Sequence, residues 1–166
     1  MLGNWEQELE LQELIEERVV ESAATPCVQS ARSLYVCALA NAHLGNDDET
    51  ERLEAKAEPL AMSGYGTVLD PPRLSLAIHR GDLTAVESLL GEPAVRTGNW
   101  SYLGSMAAHL DGLAALGERE RVEREAARSL QPGTYLEPFA LRALGLVRED
   151  EAFGLEWHAA RTQALV

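Results

Sequence analysis

The amino-acid sequence predicts an all-α protein, an α-solenoid of antiparallel helical hairpins with about nine helices. The first observation is that Gly45, Gly81 and Gly117 are evenly spaced, and each ends an apolar run and opens a polar or charged one. The second is the composition, with 46% hydrophobic but only 5% aromatic residues, which favours helix over sheet. A fixed period of this size is typical of stacked helical hairpins.

The first unit, residues 1–23, is predicted to be half a hairpin. Gly3-Asn4-Trp5-Glu6 has the residues of a corner between helices, and a glutamate-rich helix follows it. A chain that begins on the second helix of a pair lacks the capping helix that a repeat array requires. We therefore expect 1–166 to be a single helical-repeat domain and a fragment of a longer polypeptide. The alternative is a complete small protein whose first helix is itself the cap.

The second unit, residues 24–66, is predicted to be a full hairpin. Thr25-Pro26 is typical of a helix start, and Gly45 is typical of a left-handed helix end. Asn46 and Glu49 predict a capping box at the start of the partner helix. The residues of this second helix expected to face inward are Leu53, Ala57, Leu60 and Ala61.

The third unit, residues 67–98, repeats this plan. Asp70-Pro71-Pro72 is predicted to start a helix that ends at Gly81, because proline is tolerated in a first helical turn. Asp82 is expected to cap a short partner helix. The inward residues of that helix are Val86, Leu89 and Leu90.

The fourth and fifth units, residues 99–133 and 134–166, carry apolar residues at helical spacing. In the fourth unit, the first helix ends at Gly117, and Glu120 and Arg124 are spaced for ion-pair support on the second. The fifth unit is predicted to contain a helix from Pro138 to Val147 and a last helix over roughly 149–165. The expected inward positions of the fourth unit are Leu103, Met106, Ala107, Leu110, Leu113, Ala114, Val122, Ala126 and Leu130.

Charge excludes some partner classes. The formal net charge is −13, and the acidic residues concentrate in stretches 6–21 and 47–58. Nucleic acids and anionic membranes attract basic surfaces, so neither is an expected partner. The acidic stretches are interpreted as solvated helix faces, with a docking face for a basic partner as the alternative.

The two cysteines indicate a reducing compartment. Cys27 and Cys37 are placed on one helix, too far apart to form a disulfide, so we expect largely buried, reduced thiols in a cytoplasmic protein. The sequence shows neither an apolar stretch of membrane-spanning length nor a leader with a basic and then an apolar region.

The residues carry no recognisable catalytic pattern. A phosphate-binding glycine loop, a nucleophile elbow and the common zinc-binding spacings are all missing from the sequence. His43 and His79 occupy equivalent places before Gly45 and Gly81, but Ala115 holds that place in the next unit. Two imidazoles fall short of the ligands that zinc prefers, so we expect no catalytic, cofactor or metal site and no enzyme activity.

Four residues are candidates for binding on a concave face formed by the first helices of the pairs: Arg32, Tyr35, His43 and His79. An arginine and an aromatic residue one turn apart are typical interface anchors. The alternative is that Tyr35 packs inward and Arg32 faces solvent. The tryptophans Trp5, Trp100 and Trp157 are interpreted as packing residues at repeat corners.

The corner Gly81-Asp82-Leu83-Thr84-Ala85-Val86 resembles the inter-helix turn of the tetratricopeptide repeat. A second resemblance covers essentially the whole chain and is strongest in Tyr135–Gly145, Val147–Asp150 and Gly154–Thr162. These segments resemble the end of a bacterial multidomain family in which a nucleotide-cyclase-like domain and a STAND-type ATPase precede a helical-repeat region. The resemblance implies that a full-length parent carries those two domains.

The function expected from fold and resemblance is a non-catalytic module for protein interaction or regulatory sensing in bacterial signal transduction. Its partner would be another protein or the neighbouring domains of the same polypeptide, held on the concave face. One alternative is a small helical enzyme or ligand-binding cup with an unrecognised pocket. Another is a self-association segment that forms a homodimer through an exposed terminal repeat.

Overall fold

The structure is a computed structural model that describes residues 5–62, 64–90 and 101–148, and within them it contains helices and no strand. The predicted all-α fold is therefore confirmed for this part of the chain, where nine helical segments come close to the predicted number. The chain divides into two compact units, Met1–Arg80 and Gly81–Val166. The solenoid stacking and the five repeat units stay predictions.

Unit 1 contains five α-helices and a short 3-10 turn, and unit 2 contains four helices in the described residues. Only Leu11 separates the first two helices, which form a nearly continuous rod. The helices of unit 1 are α1 (Trp5–Glu10), α2 (Gln12–Glu21), α3 (Val28–His43), α4 (Asp47–Ala57) and α5 (Gly66–Arg80), with the turn at Glu58–Leu60. Those of unit 2 are α6 (Leu83–Leu89), α7 (Ser101–Ala115), α8 (Arg119–Ser129) and α9 (Glu137–Arg148).

The three evenly spaced glycines all lie where a helix ends. Gly45, Gly81 and Gly117 have φ angles of +78°, +68° and +70°, in the left-handed region that glycine enters without steric cost. Asp82 then caps α6, since its Oδ1 accepts a hydrogen bond from the Ala85 amide at 3.0 Å. These two sequence predictions are confirmed.

The core of unit 1 is built around α3. The alanine and leucine side chains of α3 are buried. The helix contacts α1, α2, α4 and α5. Leu53 and Ala57 of α4 and Leu69 and Leu76 of α5 complete the core. Because α3 is enclosed in this way, it serves as the central helix of unit 1.

The start of α3 differs from the prediction. The helix begins at Val28, and Cys27 holds the cap position in an extended conformation without a side-chain cap bond. Thr25 lies too far before Val28 to act as the cap, and its amide bonds to the Ser22 carbonyl in the turn after α2. The prediction of two buried thiols is also wrong for Cys27, which is exposed, and right for Cys37.

The predicted capping box at the start of α4 does not form. Asn46 occupies the cap position but makes no side-chain cap bond. Its side-chain nitrogen, Nδ2, donates instead to Asn41 Oδ1 at 3.1 Å. The carboxylate of Glu49 accepts hydrogen bonds from Arg52 and Gln12. Tertiary partners thus take both side chains away from the helix end.

Helix α5 begins earlier than predicted, at Gly66, and contains Pro71 and Pro72 inside it. The amides of Val68 and Leu69 both bond to the Tyr65 carbonyl and open the helix before the prolines. An inner proline costs a backbone hydrogen bond. The extra turn brings Leu69, only 3% exposed, into the core of unit 1, which offsets that loss.

In unit 2, α7, α8 and α9 pack against one another and α6 contacts α7. Leu110, Leu113, Val122 and Ala126 are buried as predicted. Leu103 and Leu130 were expected inward but are exposed, because each lies near a helix end. The expected Glu120–Arg124 support is replaced by Arg119–Glu123 and Arg148–Glu123 ion pairs. The predicted last helix, the Gly3-Asn4 corner, Trp100 and Trp157 lie outside the described residues.

Candidate functional site

Of the four predicted binding residues, Tyr35 lies in the core of unit 1. It is 2% exposed, its hydroxyl donates to Glu58 Oε2 at 2.6 Å, and the Arg73 guanidinium lies 5.7 Å from the ring centroid. Burial, and then the hydrogen bond to Glu58, raise the pKa of Tyr35. Arg32 is half-buried, and its side chain makes no ion pair or hydrogen bond within residues 5–62, 64–90 and 101–148. A binding role for this pair stays a prediction.

His43 and His79 are brought together at one end of unit 1. Their ring centroids lie 4.4 Å apart in an edge-to-face arrangement, and Trp5 stacks on His43 at 4.3 Å. Partial burial, and then the charge of His79, lower the pKa of His43. These three residues form a ring cluster, and a binding role for its histidines stays a prediction.

A groove runs along α2, with α4 as its other wall and α3 as its floor. Both α2 and α4 pack on α3, but the two helices make no close backbone contact with each other. The space between them is open to solvent and measures about 930 Å³. The groove is lined by Leu9, Gln12, Glu13, Glu16, Glu17, Val20, Glu21, Asn41, Glu49 and Lys56.

The floor of the groove is a hydrogen-bonded amide pair. Asn41 is 2% exposed, and its Nδ2 donates to Gln12 Oε1 at 2.8 Å and to the Cys37 carbonyl at 3.0 Å. Gln12 Nε2 donates in turn to Glu49 Oε1 at 2.6 Å. A buried amide without partners would be costly, so these bonds fix how α2, α3 and α4 meet.

Two cations bridge the walls of the groove. Arg52 of α4 donates to both carboxylate oxygens of Glu16 at 2.6 and 3.0 Å, and it also bonds Glu49 at 2.7 Å. Lys56 Nζ lies 2.7 Å from Glu16 Oε2. The Arg52 hydrogen bond, with further help from Lys56, lowers the pKa of Glu16 to about 2. Glu16 is therefore a fixed anion near neutral pH.

Other carboxylates of the groove keep their charge uncompensated. The side chains of Glu13 and Glu17 take part in no ion pair or hydrogen bond with any described residue. Glu21 pairs with Arg18 on the same helix at 2.6 Å. The groove is consequently acidic along its α2 wall and neutralised where Arg52 reaches across.

Sequence reasoning did not find this groove. It identified the two acidic stretches that form its walls, with the basic docking face as the less favoured interpretation. The sequence analysis did not identify Gln12 or Asn41, although one feature of the sequence pointed to Asn41. Asn41 is a large polar residue on a helix whose neighbouring positions are alanine and leucine, and such a residue, when buried, needs hydrogen-bond partners from another element.

Unit 2 contains a separate, partly buried charge pair. Arg142 Nη2 lies 2.6 Å from Asp111 Oδ1, but the alignment is not that of a hydrogen bond, since this oxygen and Arg142 Nε have no hydrogen-bond partner in the described part of the chain. Burial raises the pKa of Asp111, and the charge of Arg142 opposes the rise. In the same unit, His109 Nε2 on α7 lies 3.0 Å from Glu125 Oε2 on α8.

Comparisons of the chain with protein-family models, with curated proteins and with solved structures find no match. Within the described ranges, none of the helices combines the length and the apolar character required to cross a bilayer. The same residues include no group of three or more histidine, cysteine, aspartate or glutamate side chains placed to hold a metal ion.

Proposed function

We propose that the chain is a non-catalytic module for protein interaction or regulatory sensing in a bacterial signalling protein, and that it works in the cytoplasm. The observation that carries the proposal is the open groove along α2, which places the exposed Val20 and the partly exposed Leu9 beside carboxylates that form no ion pair. The signalling context comes from the resemblance of the sequence to the tail of cyclase and STAND-type ATPase proteins. The partner is another protein or a neighbouring domain of the same polypeptide.

The rod formed by α1 and α2 supports a surface role. Neither helix has a buried residue, and Leu11, Leu14 and Val20 are each about half exposed or more. Of these, Val20 lines the groove, and an apolar contact beside a groove is a common feature of sites that bind a helix. The rod holds its position through partly buried residues such as Ile15 and Val19, which pack on the α3 core.

Self-association is the second candidate function, because Leu11 and Leu14 lie on exposed positions of the same rod. Two copies that pair through this face would form a symmetric dimer. The enzyme alternative has one supporting observation, the buried carboxylate of Asp111 with its raised pKa. Asp111 does not line the groove along α2.

The proposal is tested by photo-crosslinking in the native host cell, with p-benzoylphenylalanine in place of Val20. The same residue in place of Ala127, exposed on α8, is the matched control. We expect a discrete adduct from Val20 alone, whose second component is identified by mass spectrometry and then binds the purified chain. An adduct between two copies of this chain would support self-association. Identical adduct patterns from both positions, or none from either, would refute the proposal.

A further inference from the structure

The wall of the groove has a regular helical pattern. Leu9, Glu13, Glu16 and Val20 follow one another at steps of four, three and four residues, and therefore lie on one face of the rod. Helical rise places Leu9 and Val20 about 16 Å apart along the axis. The wall thus presents an apolar contact at each end and carboxylates between them.

Two carboxylates on this wall form no ion pair with the described residues of unit 1. Arg52 is bound to Glu16 and Glu49, and Lys56 to Glu16, whereas Glu13 and Glu17 form no ion pair in the part of the chain that the structure describes. The pair lies one turn apart on an exposed surface. A partner that supplied two cations at the same spacing would gain charge-assisted contacts, and its approach would be accelerated by the acidic field.

We propose that the groove along α2 binds a basic amphipathic helix, which places apolar side chains near Leu9 and Val20 and lysine or arginine side chains against Glu13 and Glu17. This inference rests on the proposed function and specifies the partner of the same site. The shape supports a helix because α2 and α4 form two walls over the α3 floor. Recognition of an amphipathic helix by a groove uses this combination of apolar anchors and flanking charges.

The experiment uses the whole chain and a labelled helical peptide. The peptide has about 18 residues, long enough to populate a helix, with leucines spaced to match Leu9 and Val20 and lysines spaced to match Glu13 and Glu17. A second peptide has glutamate in place of each lysine. Binding is followed by fluorescence anisotropy, with the fold of every variant checked by circular dichroism.

The key variant is Glu13→Lys/Glu17→Lys. Its control, Glu87→Lys/Glu120→Lys, changes two exposed residues of unit 2 and shifts the net charge by the same amount. We expect the basic peptide to bind the wild type and the control alike, and the key variant at least about tenfold more weakly, since two attractive contacts become repulsive. Val20→Ser, on an exposed position, should weaken binding without altering the fold.

Three results would overturn this inference. One is the absence of binding by the basic peptide at about 1 mM. Another is equal binding of the basic and acidic peptides, and the third is equal weakening in both charge-reversal variants. If the crosslink from Val20 nonetheless captures a partner, the proposed function stands and only the helical, basic character of the partner fails. A dimer in sedimentation that Glu13→Lys/Glu17→Lys dissociates would assign the groove to a second copy of the chain instead.

Discussion

The substitution Glu16→Gln measures how much the charges between α2 and α4 stabilise unit 1. It keeps the size of the side chain and removes the charge that Arg52 and Lys56 share. A fall in the pKa from 4.5 to about 2 corresponds to about 3 kcal/mol by linkage. Because the Arg52 side chain is 47% exposed, solvent screens much of this energy, and we expect the variant to lose about 1–2 kcal/mol.

The effect of Glu16→Gln should depend on pH in one direction. The pKa of Glu16 in the folded protein lies below its ordinary value of 4.5, so the stabilisation is fully present above that value and is lost as the pH falls towards about 2. The difference in unfolding free energy between wild type and variant should therefore be largest near neutral pH. It should fall to less than half near about pH 3.

The assay is urea unfolding followed by circular dichroism at several pH values. The control is Glu17→Gln on the same helix, where the carboxylate has no ion pair with any residue of the described ranges. We expect the control to match the wild type at every pH. The reasoning fails if Glu16→Gln is as stable as the wild type near neutral pH, or if its deficit is undiminished in acid.

Four further substitutions test the packing. Gly117→Ala should destabilise unit 2 by about 1 kcal/mol because its φ of +70° strains an L-residue. Gly104→Ala, inside α7 with open space around it, should stabilise the unit by about 0.5–1 kcal/mol. Thermal unfolding should therefore shift in opposite directions. Leu53→Ala, at a fully buried position, should cost about 2–5 kcal/mol in urea unfolding, and a loss below about 1 kcal/mol would contradict the described core. His79→Ala should raise the pKa of His43 in an NMR titration, because it reduces burial and removes a neighbouring charge; an unchanged pKa would contradict the ring contact.

Local signals in the sequence predicted the helix ends well. Gly45 and Gly81 end helices because glycine itself tolerates a positive φ. Asp82 caps α6 for a local reason too, since its carboxylate accepts a hydrogen bond from the nearby Ala85 amide. The sequence showed that His43 and His79 hold equivalent places before Gly45 and Gly81, but their ring contact was not predicted. The predictions of the helix ends needed no knowledge of tertiary packing.

Predictions that depended on partners from other helices were less accurate. Asn46 has the residue type of a helix cap, yet a hydrogen bond to Asn41 takes its amide. Pro71 is typical of a first turn, yet burial of Leu69 extends α5 in front of it. The groove could not be predicted because it depends on the distance between α2 and α4, which no local pattern encodes.

The acidity of the groove and its openness have a common cause. Helices α2 and α4 are both rich in glutamate, so their facing surfaces repel each other, and the cations Arg52 and Lys56 together with the Gln12–Glu49 hydrogen bond bridge them. Two cations are enough to neutralise Glu16 and Glu49 but leave Glu13 and Glu17 unbalanced. Helix α3 attracts both walls through its apolar surface, which is why unit 1 holds together despite the repulsion. A basic helix in the groove would supply the missing cations, so its binding should also stabilise the fold of unit 1.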